Sequence, residues 1–135
     1  MIHGRRNIIA GGVAIFVAAF GGMALGFTMD AYFEKGFYAM PLTRLLVKAG
    51  HTHGMPFALY NILIGSLVDR LALSDAWKKR CSVAAILAFI MPLGLVLRGI
   101  DSGAMRFAPV VMTGALCFLA SVGIVIKGAL AEKAE

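Results

Sequence analysis

Two imidazoles one residue apart, His51 and His53 in the stretch AGHTHGMPFALYN, are the side chains here whose type and spacing best suit chemistry. Neutral imidazole nitrogen ligates haem iron and soft metals such as copper, and a methionine thioether can join it. Met55 stands four residues after His51, so on a helix these two share a face, while His53 aligns with Phe57 and Tyr60. On a helix His51 and His53 point about 200° apart and cannot grip one ion from a single face. In an extended approach they lie on one side and can do so. Gly54 and Pro56 favour that second arrangement, with a helix starting only after the pair. The candidate cofactor-binding residues are therefore His51, His53 and Met55, and the candidate metal ligands are His51 and His53. Two other readings stand beside this one: interfacial histidines that bond headgroup phosphates, and a proton relay. Two histidines without a third firm ligand do not make a closed metal site.

The elements that position this pair are those of a membrane protein. Hydrophobic residues make up 60% of the 135 positions and charged ones 15%, with a mean hydropathy of +0.85. Soluble domains average about half apolar and a quarter charged. The net charge of +6 sits in short clusters between apolar runs. This points to the lipid bilayer as partner, through its anionic headgroups, rather than to nucleic acid. Cys81 and Cys117 read as small packing residues: one lies at the end of a span and the other near mid-membrane, too far apart in depth for a disulfide.

Apolar runs cover about residues 7–29, 55–73, 77–97 and 108–126, each near the roughly 20 residues that cross a hydrocarbon core. The expected fold is an all-α integral membrane protein, a single domain over 1–135 forming a four-helix transmembrane bundle. The first run follows Arg5 and Arg6 like a signal peptide. It is too long for a signal core and lacks a convincing cleavage site, so a retained span is expected. Lysines and arginines number eight on the side of the termini and five on the other (Lys35, Arg44, Lys48, Arg98 and Arg106), which puts both termini in the cytoplasm. Ser74 is placed to cap the third span, Pro92 to kink it, and Pro109 suits the first turn of the fourth.

Between the first two spans, Tyr32, Phe33, Phe37 and Tyr38 form an aromatic set suited to the headgroup zone. PLTRLLVKAG then sets Leu42, Leu45 and Leu46 against Arg44 and Lys48. That pattern predicts a short amphipathic helix on the outer surface, ended by Gly50. His51 and His53 would follow it at the outer membrane boundary, near Asp30, whose carboxylate could meet Arg44, Lys48 or a protonated histidine.

Helix packing has its own candidates. Ala14, Ala18, Gly22 and Gly26 recur every four residues and make a smooth face that lets another backbone approach, or a flat cofactor lie. Thr113, Cys117 and Ser121 form a weakly polar face that should turn inward. Asn61, in mid-span, needs a partner, and Thr113 or Ser121 is the expected one.

The segment HTHGMPFALYNILIG resembles the H-x-H opening of the second helix in certain small bacterial four-span proteins of uncharacterised function. Those are distantly similar to the haem-binding helices of haem–copper oxidase catalytic subunits. With GGMALGF, the likeness covers about a third of the chain. It implies haem b or copper at His51 or His53, in a bacterial inner membrane. The chain departs from an oxidase core in having no histidine in its other spans. A second ligand would have to come from Met55, Met91, Met112 or another subunit.

The function expected is that of a small non-enzymatic membrane protein, a packing or accessory subunit within a larger membrane complex, redox complexes included, or one that associates with itself. The competing class is a haem- or copper-binding redox protein using His51 and His53. A transporter finds less support, because no span carries an ionisable group at its middle.

Overall fold

The computed structural model describes residues 2–32 and 35–131, Phe37 without its side chain. Phe33 and Lys133, used in the aromatic and charge readings above, lie outside the described residues. The protein is all-α. Its helices are α1 (Gly4–Tyr32), α2 (Pro41–Leu67), α3 (Asp75–Leu87), α4 (Ile90–Ile100) and α5 (Ala108–Ala131). α3 and α4 are two halves of one rod, so four rods alternate in direction. Three of these, Gly4–Tyr32, Asp75–Ile100 and Met105–Ala131, are long and apolar enough to cross a membrane.

The third rod breaks where proline chemistry requires it. Pro92 has no N–H to give the Ala88 carbonyl, and its ring crowds that oxygen. The chain tightens there instead: Met91 N–H donates to Ala88 O at 3.0 Å and Phe89 N–H to Ile86 O at 3.1 Å. Ser74 occupies the N-cap of α3 but makes no side-chain capping bond.

α2 differs most from expectation. In place of a surface helix, an irregular link at the histidines and a span from residue 55, one helix runs from Pro41 through Gly54 and Pro56 to Leu67. Packing decides this. Thr43, Leu46 and Gly50 are buried, and Gly50 sits so close to α4 that a Cβ on it would lie 2.5 Å from Val96 and 2.7 Å from the Pro92 carbonyl. One helix exit signal loses to a whole face of tertiary contact.

Glycines set the spacing of the rods. α1 meets α2 antiparallel where Gly4 abuts the Gly65 carbonyl, where Gly11 abuts Ala58 and Ile62, and where Gly22 abuts His51. α4 meets α5 at Gly94 against Val110 and Val111, and at Gly114 against the Met91 backbone. At the opposite end of α5, Gly128 lies on Leu71 and Leu73. The start of α1, the end of α5 and the α2–α3 link therefore share one end of the bundle.

At the other end, α4 closes with paired reversed bonds. Gly103 N–H donates to Arg98 O at 2.6 Å and Ser102 N–H to Gly99 O at 3.2 Å. This geometry puts its central residue in the left-handed region, and that residue is Ser102, at φ 53°. Glycine normally fills such a position. Ser102→Gly is expected to stabilise the protein by about 1 kcal/mol, read as a higher midpoint of thermal unfolding in detergent. An unchanged or lower midpoint would show that the serine costs nothing there.

Candidate functional site

Of the buried polar side chains, Thr43 lies near the start of α2 with no hydrogen-bond partner for its hydroxyl among the described residues, and the others gather toward the end that holds the start of α1 and the end of α5. Asn7 of α1, Asn61 of α2 and Ser82 of α3 are 0–3% exposed. Asn7 donates from Nδ2 to Asn61 Oδ1 at 2.8 Å and to the Ser82 carbonyl at 3.1 Å. Asn61 donates from its own Nδ2 to the Phe57 carbonyl at 3.0 Å and the Ala85 carbonyl at 2.8 Å. Ser82 Oγ donates to Asn7 Oδ1. Every amide hydrogen of the two asparagines thus has an acceptor, which an apolar surround demands.

Asn61 therefore does need a partner, but neither Thr113 nor Ser121 supplies it. Thr113 is exposed and bonds back to the Pro109 carbonyl at 2.8 Å. Ser121 is buried and meets Tyr60 OH at 2.9 Å, while its own hydroxyl reaches the Cys81 carbonyl at 3.3 Å. Cys117 is half-buried, and both cysteines are free thiols. Asn7, Tyr60 and Ser82 are the members that sequence reasoning missed. Asn7 follows Arg5 and Arg6 directly at the start of the first apolar run, and only the fold brings α3 beside it.

Below this network, Asp69 closes the start of α1. Its carboxylate accepts the His3 N–H and the Gly4 N–H, each at 3.2 Å. Desolvation pushes its pKa up, but the bonds from His3 and Gly4 outweigh that and hold the carboxyl below its ordinary value. A depressed folded-state pKa makes this cap fully effective above the ordinary carboxylate range and loses it as pH falls through the folded value. His3 Nε2 lies 2.7 Å from Asp75 Oδ1, and Lys78 Nζ donates to the Asp69 carbonyl at 2.9 Å. One half-buried patch thereby ties α1, the α2–α3 link and α3.

The histidine pair lies in the other half. Both residues are helical, so they diverge. His51 is half-buried in an apolar groove of about 620 Å³ between α1, α2 and α4, which Ala14, Ala18 and Pro92 also line. Its ring sits over Gly22, where a Cβ would lie 2.5 Å from Cε1 and 2.8 Å from Nε2. Gly22 is eight residues before Asp30, so His51 stands about 12 Å inside the level of that carboxylate. That separation arises because α2 starts at Pro41 and reaches its third turn by His51. Asp30 is exposed and, among the described residues, has no ion pair.

His53 is exposed and turned away from the groove. Its Nδ1 lies 2.8 Å from the Ala49 carbonyl. A carbonyl only accepts, so Nδ1 carries the hydrogen, and in the neutral ring Nε2 is then left as a lone-pair donor. The ring meets Phe57 edge-on at 6.5 Å, and Phe57 stacks on Phe118 of α5 at 4.8 Å. Met55 is half-buried and lies one turn beyond His51 on α2. Among the described residues no three histidine, cysteine or carboxylate side chains cluster in a way that could hold a metal.

Of the small-residue stripe, Ala14 and Ala18 face the groove and Gly22 holds the imidazole, while Gly26 has open space where its Cβ would be. Comparison with protein-family models, with curated proteins and with solved structures finds no match for the chain.

Proposed function

We propose that the chain is a four-span protein of the bacterial inner membrane, with both termini cytoplasmic, that serves as a packing or accessory subunit of a larger membrane complex. Three rods qualify as spans by themselves. The fourth is α2, whose apolar part from Lys48 to Leu67 amounts to about 20 residues, enough to cross the hydrocarbon core. Lys48 then extends its ammonium toward the outer headgroups. The eight-to-five distribution of lysine and arginine supports the orientation.

The observation that carries the accessory role is that, Thr43 apart, the buried polar side chains among the described residues are engaged within the bundle itself. Asn7, Asn61 and Ser82 form one closed set, and Tyr60, Ser121 and Cys81 another. A permeation path or a catalytic cleft needs polar groups aimed at a substrate, whereas these hold helices together. Outside, α1 offers a long apolar flank through Val13, Phe16, Val17 and Phe20, each more than half exposed. That flank suits lipid and a neighbouring span alike.

One observation favours a second reading, a redox protein with haem or copper. Ligating histidines usually donate their other ring N–H to a carbonyl or carboxylate, as His53 does to Ala49. His53 could thus give Nε2 to a metal whose other ligands come from a neighbouring chain. His51 does not fit a haem as it stands, because its ring is pressed on Gly22 with no room for a macrocycle between Nε2 and α1. The group would supply one-electron chemistry, and this chain's part would be to hold it on the exposed face of α2.

An optical spectrum and metal analysis of the protein purified from its membrane decide between the two. The accessory reading expects no Soret band and no stoichiometric copper. A signal lost in His53→Ala and kept in His51→Ala would replace it with the redox reading.

A further inference from the structure

A second groove, of about 700 Å³, opens on the outer side of α3 and α5. Its rim holds Lys79 and Arg80, and its walls below are apolar: Val83 and Leu87 on α3, Leu116 and Ala120 on α5. The two cations of the rim have company. Arg80 lies over the Trp77 ring at 5.1 Å, and Lys127 lies over the same ring at 4.2 Å. All three cations are exposed. The ion pairs among the described residues are His3–Asp75 and Arg106–Asp101, so no described carboxylate neutralises them. Lys78 is different, since it is bonded to the Asp69 carbonyl.

We infer that this groove binds one anionic glycerophospholipid, its phosphate between Lys79 and Arg80 and one acyl chain between α3 and α5. This rests on the membrane reading above and names a single lipid site within it. Arg80 and Lys127 share one indole and Lys79 stands with Arg80 at the groove rim, so the like charges repel each other and an anion at the rim relieves that repulsion. A zwitterionic lipid would bring a further cation to the same place. The indole fixes Arg80 and Lys127 by its π face, and their N–H groups stay free for phosphate oxygens. From Lys79 to Leu87 the wall descends about 12 Å, which gives an acyl chain an apolar channel that begins at the headgroup contact. Basic pockets between spans recognise anionic headgroups by this combination of charge and depth.

Trp77 is the single tryptophan of the chain, so its fluorescence reports on this rim. The full-length protein is reconstituted in phosphatidylcholine vesicles with a minor fraction of phosphatidylglycerol. Bromine, a contact quencher, is carried on the acyl chains either of the phosphatidylglycerol or of an equal fraction of the phosphatidylcholine. Labelled phosphatidylglycerol is expected to quench Trp77 several-fold more strongly. Lys79→Gln should cut that preference by roughly fivefold, the equivalent of about 1 kcal/mol per cation near an anionic lipid, and Lys79→Gln with Arg80→Gln should abolish it. Ala120→Phe should weaken quenching by filling the channel without touching a charge; Ala120 is exposed, so the larger ring does not disturb the interior. Arg5→Gln with Arg6→Gln removes equal charge at the same end and should leave the preference intact.

Equal quenching by the two labelled lipids overturns the site while the membrane reading stands. So does an equal loss in the Arg5 and Arg6 variant, which would mean that diffuse surface charge attracts the lipid. No quenching by either lipid, with release of the protein by an alkaline wash, overturns the membrane reading itself.

Discussion

Asn61→Leu is expected to cost about 2 kcal/mol of stability, and Asn7→Leu about as much. Removing either amide strands the groups that faced it. Without Asn61, the Asn7 amide loses its 2.8 Å acceptor and the Ala85 carbonyl loses its 2.8 Å donor. Each stranded buried group costs about 1–3 kcal/mol. Leucine returns part of that by filling the space with apolar volume. The two positions share one bond, so the double variant should lose clearly less than the sum of the single losses. Reversible unfolding in mixed micelles measures all three. Strict additivity, with single losses below about 0.5 kcal/mol, would mean that the network is worth no more than the weakest interhelical bonds in lipid.

A larger loss is expected where two backbones touch. A Cβ on Gly114 would run into the Met91 main-chain nitrogen. Main chain cannot swing aside as a side-chain tip can, so Gly114→Val must push α4 from α5, at a cost of about 3 kcal/mol. Gly12, Gly26 and Gly123 have nothing within 4 Å of a built Cβ. Alanine there should be neutral, or stabilise by up to about 1 kcal/mol through helix propensity. Gly22→Ala falls between, since only the His51 ring must move. Melting temperatures of the five variants in one detergent test the ranking. Equal tolerance of Gly114→Val and Gly26→Ala would show that α4 and α5 are not held at backbone contact.

Those variants also mark how far the sequence could be read. The apolar runs, the break at Pro92 and the helical character follow from local rules, because a backbone in lipid has few ways to satisfy its own polar groups. The packing face of α1 does not follow. A lipid-facing side is as apolar as a buried one, so the four-residue spacing through Ala14, Ala18, Gly22 and Gly26 looked like the contact. The backbone contacts of α1 are at Gly4 and Gly11, and of the stripe's glycines Gly22 meets only the His51 side chain while Gly26 faces open space. The partner of Asn61 was hidden for a related reason. Its bond joins residues 54 apart, and no local pattern says which of several polar side chains stands at the same depth. Gly54 and Pro56 are exit signals, so local rules favour irregular chain at the histidine pair over helix. Only the packed face through Thr43, Leu46 and Gly50 overrides them.

The Asn7 network has a consequence in time. Asn7 leaves the ribosome early, while its acceptor at Ser82 comes 75 residues later. At about 5–20 residues per second, the interval is roughly 4–15 s. Throughout it α1 lies in or near the bilayer with an unmatched amide, first until Asn61 arrives and then until α3 does. The first helix is therefore made before it can be completed. The young chain waits in a state that favours any polar group on offer, its own third rod being the one that arrives on schedule.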